Sequence, residues 1–253
     1  MNPTAMTSER NEPEIGLEAP LQWLKLGWAD LLRNPGPGLL HGVLLTCFGW
    51  LLLWAASDRF WMLAGAFSGF MIVAPILTTG LYQISKQCST GHCVGMSEVL
   101  RLWQSLDGRL IVFGLLLGFA ATGWVMTSAS MITALSPVPV RNPMDFLKHV
   151  VLAEDNWLFE VWLFVGGILA APMFASSVVA IPMLVDTQAS VRTAVLASWN
   201  AVGSYPLVLG LWALIIMGLV GLGMLTGLLG LIVVVPLLGH ASWHAYCDLT
   251  RVA

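Results

Sequence analysis

Charged residues are scarce in this sequence, and their scarcity decides the class of protein. Only 10% of the 253 residues are Asp, Glu, Lys or Arg, whereas a soluble domain carries roughly 25%. Hydrophobic residues make up 57%, and the mean hydropathy is +0.81. A chain of this composition lacks the polar surface that water requires. We therefore predict that it is solvated by a lipid bilayer.

Several functional signatures are also missing. The formal net charge is -3 and there is no basic tract, so nucleic acid is not an expected partner. The sequence has no G-x-S-x-G, no P-loop and no H-E-x-x-H, and we expect no enzymatic activity. Residues 1–16 are polar and acidic, without the features of a signal peptide, and are predicted to be a solvated tail. Residues 17–253 are predicted to form a single membrane domain.

The four cysteines lack the C-x-x-C spacing of redox and haem-attachment motifs. Cys88, His92 and Cys93 lie together in a polar loop. Their spacing makes them a weak metal-site candidate, and the alternative is an ordinary loop.

Long apolar runs predict an all-α membrane protein with six transmembrane helices. A membrane helix needs about 20 mainly apolar residues to cross about 30 Å of hydrocarbon. No Asp, Glu, Lys or Arg occurs between Arg192 and Asp248. As one helix this stretch would be about 82 Å long, so we predict two crossings with a turn in the glycine-rich segment 218–230. The other predicted spans are 37–56, 60–85, 110–134 and 157–185.

The loop charges predict the orientation of these helices. Eight Lys and Arg residues fall on the side of the N-terminus, and three fall on the opposite side. Because positive loops stay in the cytoplasm, we predict that both termini are cytoplasmic. The long outer loop, 135–156, is predicted to contain a short interfacial helix at about 143–152.

Three cytoplasmic stretches have the periodicity of amphipathic helices. They are "LQWLKLGWADLL", "SEVLRLWQSL" and "ASVRTAVLASWNAV", and each runs into a membrane span. Each carries a tryptophan on its apolar face, namely Trp28, Trp103 and Trp199. Such helices suit the headgroup boundary, so we predict three interfacial helices, the alternative being cytoplasmic extensions of the spans.

These segments suggest a threefold internal repeat of about 17–86, 96–187 and 188–250. Each unit would be an interfacial helix followed by a helical hairpin. The returning spans contain "IVAPILTTGLY", "VVAIPMLVDTQ" and "VVVPLLGHASW". Four residues after the aligned proline come Thr79, Asp186 and His240. If the units pack around a common axis, these side chains would cluster near the cytoplasmic ends of the helices.

His240 and His244 share one helix face, which leaves three interpretations open. They would ligate haem or a metal, contribute to a polar cluster for solute or proton passage, or make structural hydrogen bonds to Asp186 or to helix ends. We predict no cofactor, with haem or metal at this pair as the alternative. Trp243 and Tyr246 are predicted to lie in the interfacial aromatic belt.

Three stretches together carry a resemblance: "WLKLGWADLLRNPGPGLLHG", "GFMIVAPILTTGLYQIS" and "VVVPLLGHASWHAYCDL". They resemble a family of uncharacterised bacterial integral membrane proteins, over about residues 20–250. Some members are labelled as cytochrome c oxidase components. The resemblance implies a bacterial inner membrane and a respiratory setting, and it supplies no ligand residues.

These observations give an ordered set of functional hypotheses. The first is a non-catalytic accessory or assembly subunit of a membrane complex, with lipid and other membrane subunits as partners. The second is a channel or carrier for a small, weakly charged solute, using Thr79, Asp186 and His240. The third is a haem- or metal-binding protein that uses His240 and His244.

Overall fold

The computed structural model describes residues 15–55, 77, 79–89, 96–104, 107–153 and 157–251, and every regular element among them is a helix. Their bounds are α1 Ala19–Arg33, α2 Pro35–Ala55, α3 79–88, α4 Met96–Gln104, α5 Gly108–Leu135, α6 Pro143–Phe146, a π-helical turn Leu147–Val151, α7 Leu158–Ser177, α8 Ala180–Asp186, α9 Val191–Ser204, α10 Pro206–Leu225 and α11 Leu231–Arg251.

Four segments of the described chain are long and apolar enough to cross a bilayer: Pro35–Ala55, Gly108–Leu135, Leu158–Asp186 and Pro206–Leu225. The predicted all-helical membrane fold is confirmed to this extent. Six spans are not confirmed. Most of the predicted span 60–85 lies outside the described residues, and α11, although 21 residues long, carries two histidines, an aspartate and an arginine.

The three predicted interfacial helices are observed as helices α1, α4 and α9, and the predicted outer-loop helix is observed as α6 with its π-helical turn. On α1, Leu21 and Trp28 are exposed, as expected for side chains that face a headgroup region. Trp199 on α9 is also half exposed, and its indole N–H donates to Ser176 Oγ at 3.0 Å. The side chain of Trp103 lies outside the described residues.

Helices α1 and α9 end in the same kind of elbow before an apolar helix. Asn34 (φ -139°, ψ 65°) separates α1 from α2, and Tyr205 (φ -127°, ψ 54°) separates α9 from α10. Each precedes a proline at the first position of the next helix, and a residue before proline is sterically disfavoured in the helical conformation. In both segments a tryptophan, Trp28 or Trp199, lies seven residues before the proline that follows the elbow. The threefold repeat stays a prediction, because Pro75 lies outside the described residues.

The fourth predicted span is broken, and Pro182 explains the break. A proline ring clashes with the carbonyl four residues earlier, here Val178, and α7 and α8 are separated at residues 178–179. The N–H of Val179 no longer bonds within the helix and instead donates to Ser198 Oγ of α9 at 3.1 Å. A buried side chain from the next interfacial helix thus satisfies the freed donor.

Removing that hydroxyl should destabilise the fold. We expect Ser198→Ala to lower the free energy of unfolding by about 1–3 kcal/mol, because it leaves the Val179 N–H buried without an acceptor. Ser177→Ala is the matched control, since the Ser177 hydroxyl donates to carbonyls of its own helix. Thermal unfolding in mild detergent measures both. Equal losses in the two variants would contradict this role for Ser198.

The turn between α10 and α11 covers residues 226–230, inside the predicted segment. Gly227 and Leu228 both adopt positive φ, at 67° and 72°. Their carbonyls accept hydrogen bonds from α2: Trp50 Nε1 donates to Gly227 at 2.8 Å, and Thr46 Oγ1 donates to Leu228 at 3.2 Å. Side chains of α2 therefore provide hydrogen-bond donors for backbone carbonyls in the turn between α10 and α11.

Helix α11 packs between α1 and α2 at very short range, and glycines permit it. A Cβ on Gly27 of α1 would lie 2.6 Å from the backbone nitrogen of Ala241. A Cβ on Gly42 of α2 would clash with the carbonyl of Ile232, which lies four residues before Pro236. The proline leaves that carbonyl without its helical donor, and α2 covers it. Small residues thus allow direct contact between helix backbones.

Candidate functional site

A buried polar network joins α1, α3 and α11. It consists of Asp30 on α1, Ser85 on α3, and His240 and His244 on α11. Asp30, Ser85 and His240 are each at most 4% exposed. Polar groups buried among apolar helices are costly unless they are hydrogen-bonded, so this network is the first candidate for a functional site.

Asp30 is the charged member of the network. His244 Nε2 donates to Asp30 Oδ2 at 2.8 Å. Burial opposes ionisation of the carboxyl group, but the hydrogen bond from His244, together with the nearby Ser85 hydroxyl, outweighs it and holds the pKa of Asp30 below its usual value. Arg33, 3.9 Å away and 65% exposed, adds a surface contact to the same carboxylate. Asp30 is therefore an ionised group that fixes helix α1 to α11.

Ser85 binds the other histidine of α11. The Ser85 hydroxyl oxygen lies 2.8 Å from His240 Nδ1, and the tautomer of the ring decides which of the two groups donates. The second ring nitrogen of His240, Nε2, is buried without a hydrogen-bond partner in the described structure.

A third histidine lies on the helix that faces this nitrogen. His240 Nε2 is 3.4 Å from the Cβ position of Gly38 on α2, and His41 lies one turn further along the same buried face. His41 Nδ1 is 2.7 Å from the Pro37 carbonyl. The structure thus places on adjoining helices two histidines that are 199 positions apart in sequence.

Asp186 belongs to a separate, more exposed group. It accepts from Lys86 Nζ at 2.8 Å and from the Tyr246 hydroxyl at 2.9 Å. These bonds tie α8 to α3 and α11 near the ends of the helices. The prediction of a structural hydrogen bond between Asp186 and the histidine pair is wrong for the described contacts: the acceptor of His244 is Asp30, while Asp186 accepts from Lys86 and Tyr246.

Arg109 fixes the chain that follows Asp186. Its guanidinium group donates to the carbonyls of Leu184, Thr187 and Ala189 at 2.8–3.1 Å. It also pairs with Asp107, the N-cap of α5, and this pairing lowers the pKa of Asp107. One arginine therefore caps the end of α8 and holds it against the start of α5.

The predicted polar cluster is distributed over these two groups. Thr79 is buried on α3, six residues before Ser85. His240 bonds to α3 through Ser85, and Asp186 bonds to α3 through Lys86. All three predicted residues therefore lie on elements linked through α3, but the described hydrogen bonds place His240 and Asp186 in different networks.

Trp243, which the sequence predicted as an interfacial anchor, faces protein in this structure. It is only 5% exposed and packs against Tyr82 and Tyr246, with ring centroids 6.5 and 5.4 Å away. Tyr246 is likewise buried. The reason is the position of α11, which other helices surround, so that an aromatic residue at the polar end of the helix faces protein.

The two histidines of α11 do not converge on one point. His240 bonds to α3 and His244 bonds to α1. Among the described residues, no group of three or more His, Cys, Asp or Glu side chains is arranged to hold a metal ion. The haem or metal hypothesis stays a prediction, as does the loop candidate, since His92 and Cys93 lie outside the described residues.

The sequence analysis missed Asp30 and Ser85. A signal for Asp30 was present: Trp23, Gly27, Asp30 and Leu31 fall on one helix face, and all four are buried. Trp23 is fully buried, and its indole N–H donates to Asp248 of α11 at 2.7 Å. Ser85 carried no such signal, because only the packing of α3 on α11 distinguishes it from other small residues.

The depressed pKa of Asp30 predicts a pH dependence. Its hydrogen bonds stabilise the fold fully above about pH 4, and this stabilisation is lost as pH falls through the lower pKa of the folded state. We therefore expect Asp30→Asn to be less stable than the natural chain at pH 7, with the difference shrinking as the pH is lowered below about 4. Thermal unfolding measured across this range tests it, and a constant difference would contradict it.

Comparison with known proteins supports the membrane assignment. A family described as "Predicted integral membrane protein (DUF2189)" matches residues 62–186. The predicted resemblance to an uncharacterised membrane-protein family is confirmed, while the cytochrome c oxidase label is not. No match was found among curated proteins or among solved structures.

Proposed function

We propose that the chain is a non-catalytic accessory or assembly subunit of a membrane complex, starting from the match of residues 62–186 to a family of integral membrane proteins. In this role it acts through helix contacts within the bilayer. The loop charges support an inner-membrane protein with both termini in the cytoplasm, and the resemblance to proteins labelled as oxidase components supports a respiratory complex.

The observation that carries this proposal is the closed packing around α11. At Gly27, Gly38 and Gly42 even an added methyl group would meet atoms of α11 or of Leu31. The predicted solute site at His240 lies directly beside these contacts. A carrier would need space for its solute there, so the packing favours a protein that works as a rigid partner.

The outward faces of the spans offer the contact surface. Phe119 on α5 and Phe164 on α7 are 83% and 69% exposed, and Trp54 on α2 is 77% exposed. Large apolar and aromatic side chains of this kind suit lipid and the helices of other membrane subunits equally well. The buried polar groups, in contrast, serve bonds within the chain.

Purification from native-level expression tests the proposal. The tagged chain should elute in mild detergent with a defined set of membrane subunits in constant ratio, and any haem absorbance should follow those subunits. A tagged membrane protein of similar size from the same cells is the control. Elution of a lone, colourless monomer would contradict the subunit role and favour the carrier hypothesis.

The same sample also tests the haem hypothesis. A Soret band that stays with the isolated chain and disappears in both His240→Ala and His244→Ala would favour haem binding by the chain itself. Under our proposal, the isolated chain has no such band.

A further inference from the structure

Helix α1 carries an exposed stripe that is separate from its buried face. Leu21, Lys25, Trp28 and Leu32 follow the spacing i, i+4, i+7 and i+11, which places them on one side of a helix. All four side chains are exposed, while another side of α1 is buried against the protein. We call these four residues the α1 stripe.

Helix α9 repeats this pattern. Arg192, Leu196 and Trp199 follow the spacing i, i+4 and i+7, and all three are exposed. Ala194 and Ser198, on the other side of the helix, are buried. We call the three exposed residues the α9 stripe. Each stripe therefore combines a cation with leucine and tryptophan.

The two stripes lie at the same end of the molecule. A cleft lined by residues 15–18 and 204–208 joins the beginning of α1 to the end of α9. Each helix also leads through an elbow into a candidate membrane span, α2 or α10. A helix of about 20 residues is about 30 Å long, which is the thickness of the hydrocarbon layer. Spans of this length cross the whole layer, so the helices before them reach the headgroup region.

The exposed charges of α1 and α9 are all positive, in a chain whose net charge is -3. They belong to Lys25, Arg33 and Arg192, whereas Asp30, the carboxylate of α1, is buried. Arg33 pairs with Asp30, but the ion pairs seen among the described residues do not involve Lys25 or Arg192. The exposed Glu18 precedes α1 and lies about 10 Å from Lys25 along the helix axis. Both stripes therefore present a cation that is complementary to an anion at the membrane surface.

We propose that the two stripes bind anionic phospholipids, one at each stripe. The cation, Lys25 or Arg192, contacts the headgroup phosphate, and the leucine and tryptophan side chains pack against the upper part of the acyl chains. A zwitterionic lipid also carries a phosphate, but the ammonium group of its headgroup offsets the negative charge. The stripes thus favour lipids with a net negative charge.

The combination of side chains suits this ligand. Lysine and arginine lay their apolar stems along a hydrophobic surface while the charged group reaches the phosphate. Tryptophan is favoured at the headgroup level because its ring is apolar and carries one N–H. Lys25 lies one helical turn from both Leu21 and Trp28, and Arg192 lies one turn before Leu196. The apolar and charged contacts to one lipid are therefore close together.

Native mass spectrometry of the full-length chain in mild detergent tests this inference. Phosphatidylglycerol and phosphatidylcholine with identical acyl chains are titrated separately, so that only the headgroup differs. Each stripe should bind phosphatidylglycerol about fivefold more tightly than phosphatidylcholine, since one cation near an anionic membrane surface contributes about 1 kcal/mol.

Charge variants separate binding at the stripes from a general attraction to the protein. Lys25→Gln and Arg192→Gln should each remove the preference from one bound lipid, and the double variant should remove it from both. Lys25→Arg and Arg192→Lys keep the charge and should retain the preference. Arg33→Gln is the matched control, because it removes an exposed cation of α1 that lies outside the stripe and pairs with Asp30. Thermal unfolding in the same detergent checks that these variants keep the fold.

Four results would overturn the inference. The first is equal affinity of the natural chain for the two lipids, and the second is a preference that survives in the double variant. The third is a loss in Arg33→Gln as large as that in Lys25→Gln, which would indicate attraction to overall charge. The fourth is release of the lipid by sodium phosphate but not by sodium chloride of equal ionic strength, which would indicate a site for free phosphate. All of these measurements use the isolated chain, so the inference stands or falls separately from the proposed subunit role.

Discussion

Gly42→Ala is expected to cause one of the largest losses of stability available to a single methyl group in this chain. The new Cβ would occupy the place of the Ile232 carbonyl. The atoms that it meets are backbone atoms of a helix, so no flexible side chain can move aside to relieve the clash. Overpacking typically costs 1–3 kcal/mol and sometimes more. Because this clash is with backbone, we expect a loss of about 3 kcal/mol in the free energy of unfolding.

Gly218→Ala is the matched control for that variant. Gly218 lies inside α10, and nothing lies within 4 Å of its Cβ position. Alanine is a better helix former than glycine, so this variant should be as stable as the natural chain or slightly more so. Thermal unfolding and the yield of monodisperse protein in mild detergent report on both variants. If Gly42→Ala behaves like Gly218→Ala, the close contact of α2 with α11 is wrong.

Asp30→Ala is expected to have a comparable effect through electrostatics. It leaves the N–H of His244 without its charged acceptor inside the protein. Hydrogen bonds to charged groups contribute about 1.5–3 kcal/mol. We therefore expect a loss of about 3 kcal/mol in the free energy of unfolding and partial release of α1 from α11.

Arg33→Ala distinguishes this buried contact from the surface ion pair on the same carboxylate. Arg33 is 65% exposed and 3.9 Å from Asp30, and exposed pairs of this kind contribute at most about 1 kcal/mol. Its removal should therefore change the unfolding temperature little. Limited proteolysis near the elbow at Asn34 is a second readout, and faster cleavage is expected only for Asp30→Ala. Equal effects of the two variants would contradict the assigned role of the buried bond.

The sequence alone was sufficient for features that depend on local chemistry. The apolar runs predicted membrane helices, and the glycine-rich segment predicted the turn at 226–230. Each of these follows from the hydropathy or backbone preferences of neighbouring residues, so a single sequence contains the necessary information.

The site could not be predicted in the same way, because it depends on which helices meet. His240 and Ser85 are 155 positions apart, and His244 and Asp30 are 214 apart. The aligned positions of the predicted repeat placed Asp186 near His240. In the structure, the packing of α1 on α11 instead brings Asp30 to His244. The same packing buries Trp243, which hydropathy alone placed at the membrane surface.

The central claim is that a buried hydrogen bond from His244 to the ionised Asp30 holds α1 against α11. A double-mutant cycle between these two residues tests it most directly. The free energies of unfolding of the natural chain, Asp30→Ala, His244→Ala and the double variant would be measured in one detergent at pH 7. Hydrogen bonds to charged groups contribute about 1.5–3 kcal/mol, and we predict a coupling energy in this range. Additive effects of the two substitutions would contradict the claim.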